Sequence, residues 1–431
     1  MTSYRDIDMK YHMFSEIAGE PGRGFAFSVS DDISAKGFQA TAGSKMLEGY
    51  RPVFDATAVS RMLGSGGSLV GKTNTDEFGS NAFGVTGLGI PKNPFGPERV
   101  CGGSSGGAAC AAALFGGHTA LGTSAGGSIS SPAAFCGVFG LTPSQGRVSR
   151  YGQIDSVSSM GPIGILASDS GTLRRCLPMI SGKDDKDPAS TAQPALKLGN
   201  RKLRSVAVPK GITDGVGDAV RRSFDDSLDV LKGMSVDVDR VDFPNLRYAM
   251  PAHYILCVTE TALNLARYCG MRCGRQDGDL SMMFDDYFTS ARTKYFGDEV
   301  KLRITMGTYM TLGENRNKYY LRSLGVRQLV IDGYNDVLKT HDAVLTPTMP
   351  FIAPRLSDIK GTGSAETYSA SMFTVPPVFC GLPCLSVPCG YSDGMPVGMQ
   401  FVSGRWDEDV LISAAEEWGK AFDVKHPEEF V

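Results

Sequence analysis

The sequence predicts an α/β fold in which helices pack on a layered β-sheet. Short apolar strand candidates at 204–208 (RSVAV) and 342–346 (DAVLT) alternate with segments of helical periodicity. The clearest helical stripe consists of Val216, Val220, Phe224, Leu228 and Leu231. The chain has 431 residues, of which 42% are hydrophobic, so it can bury one large core as a single domain over 1–431.

The elements follow in order along the chain. Residues 55–62 (DATAVSRM) predict a helix with an Asp at its start, and Ser68 to Val70 predict a short strand with Lys72 just past it. The small apolar run 108–115 (AACAAALF) suits a helix that is packed on all sides. Residues 250–335 are predominantly helical and form a cover for the sheet.

One polar segment interrupts this pattern. Residues 181–200 (SGKDDKDPASTAQPALKLGN) are rich in Asp, Lys, Pro and Ser. Strand residues resume directly after it, so we interpret it as a surface loop within the domain.

Charge and targeting features exclude several classes of protein. Lys plus Arg number 43 against 46 Asp plus Glu, a net charge of −3, so no global field attracts nucleic acid or an acidic membrane. The N-terminal 20 residues lack an apolar signal core, and no 18-residue apolar stretch occurs. We expect a cytoplasmic protein.

The ten cysteines are scattered among apolar neighbours, which is typical of free thiols in a reducing compartment. Cys269 with Cys273, and the run Cys380, Cys384 and Cys389, come nearest to a ligand cluster. We favour buried thiols over a metal site, because free cysteine packs as a small hydrophobe.

Glycine marks the expected functional region. Residues 64–171 hold 25 of the 53 glycines in 108 positions. Glycine permits positive φ and lets backbone N–H groups face a ligand directly. This Gly/Ser-rich segment is therefore the predicted catalytic core.

A phosphate-binding motif within this core is judged to be a coincidence. Residues 66–73 (GGSLVGKT) match the P-loop pattern at every fixed position. A P-loop follows a strand and opens a helix, whereas here a helix precedes the motif and the apolar strand lies inside it. The context therefore argues against phosphate binding.

Two glycine-framed serine motifs are the stronger signal. Residues 102–107 (GGSSGG) and 122–137 (GTSAGGSISSPAAFCG) place Ser104 and Ser128 beside glycine pairs. They are either flexible turns or the means of presenting a nucleophilic hydroxyl next to backbone N–H groups. A serine needs a base, and the five histidines show no helpful spacing. Lys72 is the remaining candidate.

These stretches, together with VGKTNTDEFG and LTPSQGRVSRYG, resemble the amidase signature family. Within it, GSKMLEGYRPVFDATAV, RITMGTYM, GVRQLV and LSVPCGYSDGMPVGMQF are most similar to the glutamine-hydrolysing subunits of tRNA-dependent amidotransferases. The resemblance covers most of residues 25–420. It implies the amidase-signature fold, a central mixed β-sheet with helices on both faces.

The resemblance also implies a Ser-Ser-Lys triad. Lys72 would be the base, Ser104 the bridging serine after a cis peptide, and Ser128 the nucleophile that forms an acyl-enzyme. The oxyanion hole would consist of the backbone N–H groups of Ala125, Gly126, Gly127 and Ser128. Lys72 would need its pKa lowered by roughly three units, about 4 kcal/mol, to act near neutral pH.

Three positions depart from the family pattern. The family's usual Asp and Arg are replaced by Ser124 and Ser130, which removes an expected ion pair without leaving a lone charge. Arg327 matches the arginine expected to bind the glutamine α-carboxylate. Ser371 stands where an Asp is expected to bind the α-amino group, so an anionic partner is missing there.

The function implied is glutamine hydrolysis that supplies ammonia for transamidation of mischarged Glu-tRNA(Gln) or Asp-tRNA(Asn). A B subunit would bind the tRNA and use ATP and magnesium, a C subunit would stabilise the complex, and this chain would need no cofactor. A stand-alone amidase for another small carboxamide is the enzymatic alternative. A scaffold protein with a decayed site is the non-enzymatic one.

Overall fold

The computed structural model describes residues 3–190, 192–199, 201–276, 278–359 and 364–431, with the backbone alone for 364–366. The described strands form one sheet. They are β1 Phe14–Ile17, β2 Phe25–Ser30, β3 Gly67–Thr73, β4 Thr119–Thr123, β5 Phe139–Thr142, β6 Ile163–Ala167, β7 Ser205–Pro209, β8 Asp237–Val241, β9 Ala343–Pro347, β10 Cys384–Ser392 and β11 Met395–Val402.

The sheet is mixed, as expected. Its 11 described strands lie in the order β1-β3-β2-β4-β6-β5-β10-β11-β9-β7-β8. The pairs β2/β3, β2/β4, β7/β8 and β7/β9 are parallel, and the others are antiparallel.

Helices cover both faces of this sheet, which confirms the predicted α/β/α architecture. The described α-helices are α1 Tyr4–Tyr11, α2 Thr57–Gly64, α3 Gly106–Leu114, α4 Ser130–Phe135, α5 Ser170–Ile180, α6 Asp218–Gly233, α7 Ala249–Asn264, α8 Phe284–Tyr295, α9 Asp298–Thr311, α10 Arg322–Leu338, α11 Ser364–Ser369, α12 Val375–Phe379 and α13 Glu408–Ala421. No helix within the described ranges is both long enough and apolar enough to cross a bilayer.

Alternation along the strands separates the two faces. In β4, Leu121 packs in the cluster formed with α2, α5, α6 and α13, whereas Ala120 packs in the cluster formed with α1, α3 and α4. Strand side chains alternate between faces. Helices α2 and α3 therefore lie on opposite sides of the sheet.

Most of the predicted elements are present. The stripe becomes α6, with Val220, Phe224, Leu228 and Leu231 buried, and α3 is buried along its whole length. The prediction that Asp55 starts a helix was wrong, because α2 begins at Thr57 and Asp55 accepts a bond from the Lys36 N–H instead.

The polar segment 181–200 begins at an isolated bridge between Ser181 and Val148 and contains one short 3₁₀ turn, Pro188–Ser190. Its residues 191 and 200 lie outside the described residues. All ten cysteines are free.

Candidate active site

Ser128 lies in the short turn between β4 and α4 and lines a narrow, largely buried cavity. It is 8% exposed. The described residues that line this cavity are Gly79, Ser80, Asn81, Ala82, Gly103, Ala125, Gly126, Ser128, His253, Cys257, Glu299, Arg303, Thr367, Tyr368 and Ser371.

Close packing explains the two glycines before Ser128. A Cβ on Gly127, whose φ is +106°, would lie 2.1 Å from Oγ1 of Thr374. A Cβ on Gly126 would lie 3.0 Å from the His253 ring. A side chain at position 127 is excluded by contact and by conformation, so the turn requires glycine there.

Three of the four expected oxyanion residues line the cavity, namely Ala125, Gly126 and Ser128. The Gly127 N–H instead donates to Oγ of Ser124 at 3.2 Å, inside the turn. One of the four expected donors is therefore bonded to Ser124, and the oxyanion hole stays a prediction.

Ser104 lies two residues before α3, after a cis peptide bond from Gly103 as the resemblance implied. Its carbonyl accepts a bond from the Asp76 N–H at 3.3 Å. The Ser104 Oγ atom is buried and has no hydrogen-bond partner among the described residues. Ser104 is thus held by its backbone, and its hydroxyl bonds neither to Ser128 nor to Lys72.

Lys72 is fully buried and bonded to the backbone. Its Nζ donates to the carbonyl oxygens of Asp31 at 3.2 Å, Ile33 at 2.5 Å and Gln39 at 3.3 Å. It is also 3.8 Å from Oδ1 of Asp31. Burial lowers the pKa of Lys72, and the carboxyls of Asp31 and Asp32 oppose that shift.

Strand register explains this placement. Lys72 lies within β3, not just past a strand, and pairs with Val29, whose side chain packs in the cluster formed with α2 and α5. Paired residues of neighbouring strands project to the same face. Lys72 therefore projects to the face of the sheet that α2 and α5 cover. Within the described residues the three expected triad side chains share no hydrogen bond, and their joint role stays a prediction.

The same strand contains the P-loop match. Residues 67–73 are β-strand throughout, and no helix begins at Lys72. The backbone N–H groups of this segment are in the sheet, so it cannot form a phosphate-binding loop.

Of the two predicted substrate-binding residues, Ser371 lines the cavity and Arg327 is not among the described lining residues. The Arg327 Nε donates to the Phe379 carbonyl at 2.6 Å, and its other nitrogens face Ser159. Ser124 and Ser130 are fully buried, and Ser130 contacts Cys384 at 3.8 Å. Both side chains are neutral, so neither introduces a charge that would need a partner.

Sequence reasoning missed several cavity residues. His253 is one: its Nε2 lies 2.7 Å from the Ala125 carbonyl and its Nδ1 contacts the Tyr368 hydroxyl. Burial lowers the pKa of His253 to about 4, so the ring is neutral near pH 7. Glu299 and Arg303 are two more. Their spacing of four on a helix was the available signal.

A glycine-framed serine turn between a strand and a helix, a second buried serine two residues before α3 and an α/β/α sheet are the features of the amidase signature class. The sequence profile of the Amidase family matches residues 14–412. The chain belongs to this family.

Several relatives share one name, the A subunit of glutamyl-tRNA(Gln) amidotransferase. The chain is 37% identical over 420 residues to the Methanococcoides burtonii protein of that name, covering 95% of this chain and 86% of the relative. It is 38% identical over 405 residues to the Halobacterium salinarum protein of the same name, covering 92% and 95%. The solved structure of the Thermotoga maritima protein of that name superposes with a TM-score of 0.82 at 29% identity, over 98% of this chain and 92% of the other.

Proposed function

We propose that this chain is the glutamine amidohydrolase component of a tRNA-dependent amidotransferase. The observation that carries the proposal is Ser128, presented by a glycine-framed turn to a buried cavity, in a chain 37% identical over 95% of its length to a relative that bears that amidotransferase name. Ammonia released here would serve transamidation of mischarged Glu-tRNA(Gln) or Asp-tRNA(Asn).

The chemistry proposed for Ser128 is acyl transfer. Its hydroxyl oxygen attacks the carboxamide carbon, its proton passes to Ser104, and Ser104 gives its own proton to the base Lys72, from which it later returns to the leaving nitrogen. The backbone N–H groups of Ala125, Gly126 and Ser128 stabilise the tetrahedral oxyanion. The C–N bond then breaks, ammonia leaves with an added proton, and water hydrolyses the acyl-enzyme.

The role of Lys72 as the base requires a change in its contacts. For Lys72 to accept the proton of Ser104, its amine must be neutral and offer a lone pair, so Nζ must leave at least one of its three carbonyl acceptors. As it lies, its three N–H groups all point at carbonyl oxygens. This observation favours a second function, a homologue of the amidotransferase component that retains the fold and its partners without hydrolysing an amide.

The partners in either function would be the B and C subunits. The net charge of −3 supports contact with tRNA only through the B subunit. ATP and magnesium would be used by the B subunit, and this chain would work without a cofactor in the cytoplasm. A stand-alone amidase would act on its carboxamide without any of these partners.

The test compares kcat/KM for glutamine, asparagine and a simple aliphatic amide, with and without B and C subunits and charged tRNA. Ser128→Ala is the matched control for background ammonia. Glutamine preference that rises with the partners supports the proposal. An aliphatic preference that no partner alters indicates the stand-alone amidase, and partner binding without ammonia release indicates the second function.

A further inference from the structure

The cavity that contains Ser128 also contains an ion pair. Arg303 and Glu299 lie one turn apart on α9, and the Arg303 Nε donates to Oε1 of Glu299 at 2.8 Å. Their side chains are 10% and 18% exposed. Both residues line the cavity wall.

The other titratable groups on the described wall are neutral near pH 7. Burial lowers the pKa of His253 to about 4 and raises the pKa of the Cys257 thiol. Burial also raises the pKa of Tyr368 well above its usual value. Among the described lining residues, the formal charges are therefore one cation and one anion. A free amino acid carries the complementary pair.

Arg303 retains donors for a ligand. A guanidinium has five N–H groups. One at Nε bonds Glu299, one at Nη2 bonds the Ser80 carbonyl, and one at Nη1 faces the Cys257 sulfur at 3.6 Å. Nη1 and Nη2 each keep a second N–H. By contrast, Arg327 is not among the described lining residues and bonds to Phe379 and Ser159.

We propose that Arg303 and Glu299 select a zwitterionic substrate, with Arg303 binding the α-carboxylate and Glu299 the α-ammonium group. This inference rests on the proposed function. It assigns to Glu299 the anionic role that the neutral Ser371 does not offer. Arg303, not Arg327, is then the carboxylate-binding residue of this chain. The substrate class is a free amino acid with a side-chain carboxamide.

The experiment is titration calorimetry on the full chain carrying Ser128→Ala, so that binding is measured without turnover. Three ligands are compared: L-glutamine, glutaramate, which lacks the ammonium group, and 4-aminobutanamide, which lacks the carboxylate. We expect Arg303→Met to weaken L-glutamine and glutaramate by about 10- to 150-fold, the range for a charge-assisted contact, and to spare 4-aminobutanamide. Glu299→Gln weakens L-glutamine and 4-aminobutanamide and spares glutaramate.

This crossover distinguishes recognition from damage to the fold. If each variant weakens all three ligands equally, the pair is structural and the inference is overturned. If L-glutamine does not bind, or if only Arg327→Met abolishes its binding, the inference also fails. Arg303→Lys keeps a cation and is the second variant to use if Arg303→Met does not fold. It is expected to lose part of the affinity for the carboxylate. Arg292→Met, which removes a half-buried arginine bonded to backbone carbonyls, is the matched control.

Ammonia release by the wild-type chain is scored separately. The crossover without ammonia release refutes the proposed hydrolysis and leaves the inference standing. Ammonia release from L-glutamine without the crossover overturns the inference and leaves the proposed hydrolysis standing.

Discussion

Replacing Lys72 by methionine is expected to destabilise the protein before it affects any proton transfer. The substitution removes the donor to three buried carbonyl oxygens and the cation 3.8 Å from Oδ1 of Asp31. Both side chains are nearly inaccessible, at 0% and 2% exposure. Breaking a buried pair from one side costs roughly 3–5 kcal/mol, because the other charge stays buried without compensation.

That cost corresponds to a measurable change in Tm. A chain of 431 residues has an unfolding entropy of about 0.9 kcal/mol/K near its midpoint. The expected decrease for Lys72→Met is therefore about 3–6 °C. Differential scanning calorimetry measures it, and Lys36→Met, which changes an exposed lysine of the loop after β2, is expected to leave Tm unchanged.

A second variant tests the cause of the change. Asp31→Asn removes the carboxylate while Lys72 keeps its three carbonyl acceptors. In the double variant with Lys72→Met, the loss is expected to be smaller than the sum of the two single losses, since no unpaired carboxylate remains. Additive losses would show that the two side chains do not form a pair.

One combination of results would refute a purely structural role for Lys72. If Lys72→Met unfolds at the wild-type temperature but prevents a serine-directed phosphonate probe from labelling Ser128, then Lys72 acts on the serines and does not hold the β2–β3 end together. The base assignment would then stand, through a rearrangement on substrate binding.

Four further predictions follow from the site. Ser128→Ala should abolish ammonia release and probe labelling with unchanged Tm, and residual wild-type turnover would end the nucleophile assignment. Gly127→Ala should lose roughly 1–3 kcal/mol through backbone strain alone and disrupt the turn, because its Cβ would meet Thr374 at 2.1 Å; wild-type stability and activity would contradict this. Calorimetry should detect no ATP binding to the isolated chain, since residues 67–73 are strand, and micromolar affinity would restore the P-loop interpretation. His253 has a folded pKa of about 4, below its usual 6.5, so its contribution to stability is complete above pH 6.5 and falls as pH decreases towards 4, by up to about 3 kcal/mol. Burial lowers the pKa of His118 as well, so urea unfolding should show a loss about 3 kcal/mol larger in wild type than in His253→Gln, and parallel pH profiles would exclude the contribution of His253.

The local parts of the fold were predictable because their signals are local. The stripe of α6 and the small-residue helix α3 follow from periodicity and composition over one or two dozen residues. The serine turns were equally visible as glycine pairs in the sequence, and at position 127 the contact with Thr374 permits only a residue without Cβ. The order of the 11 described strands was not, because it depends on pairing between distant segments.

The charged wall of the cavity illustrates the same limit. Glu299 and Arg303 form a common helical pair in the sequence, which usually faces solvent. They face the cavity because α9 packs along α7, where Gly307 lies against the Val258 carbonyl without room for a Cβ. The packing of α9 on α7 places this pair at the cavity, and the spacing of four within α9 shows that the two residues pair but not that they face a cavity.

The position of Lys72 depends on a single residue of strand register. From Phe25 to Phe27, β2 pairs residue by residue with Gly67 to Leu69, but Ser28 then pairs with Gly71, so that Val70 is an extra residue in β3. Without that bulge, Lys72 would pair with Ser30 and project to the face that α3 covers. With it, Lys72 pairs with Val29 and projects to the opposite face. A one-residue shift reverses the face of every following side chain. Spacing along the chain therefore indicates the candidate residues of a triad, whereas the bulge determines the face of the sheet to which the lysine projects.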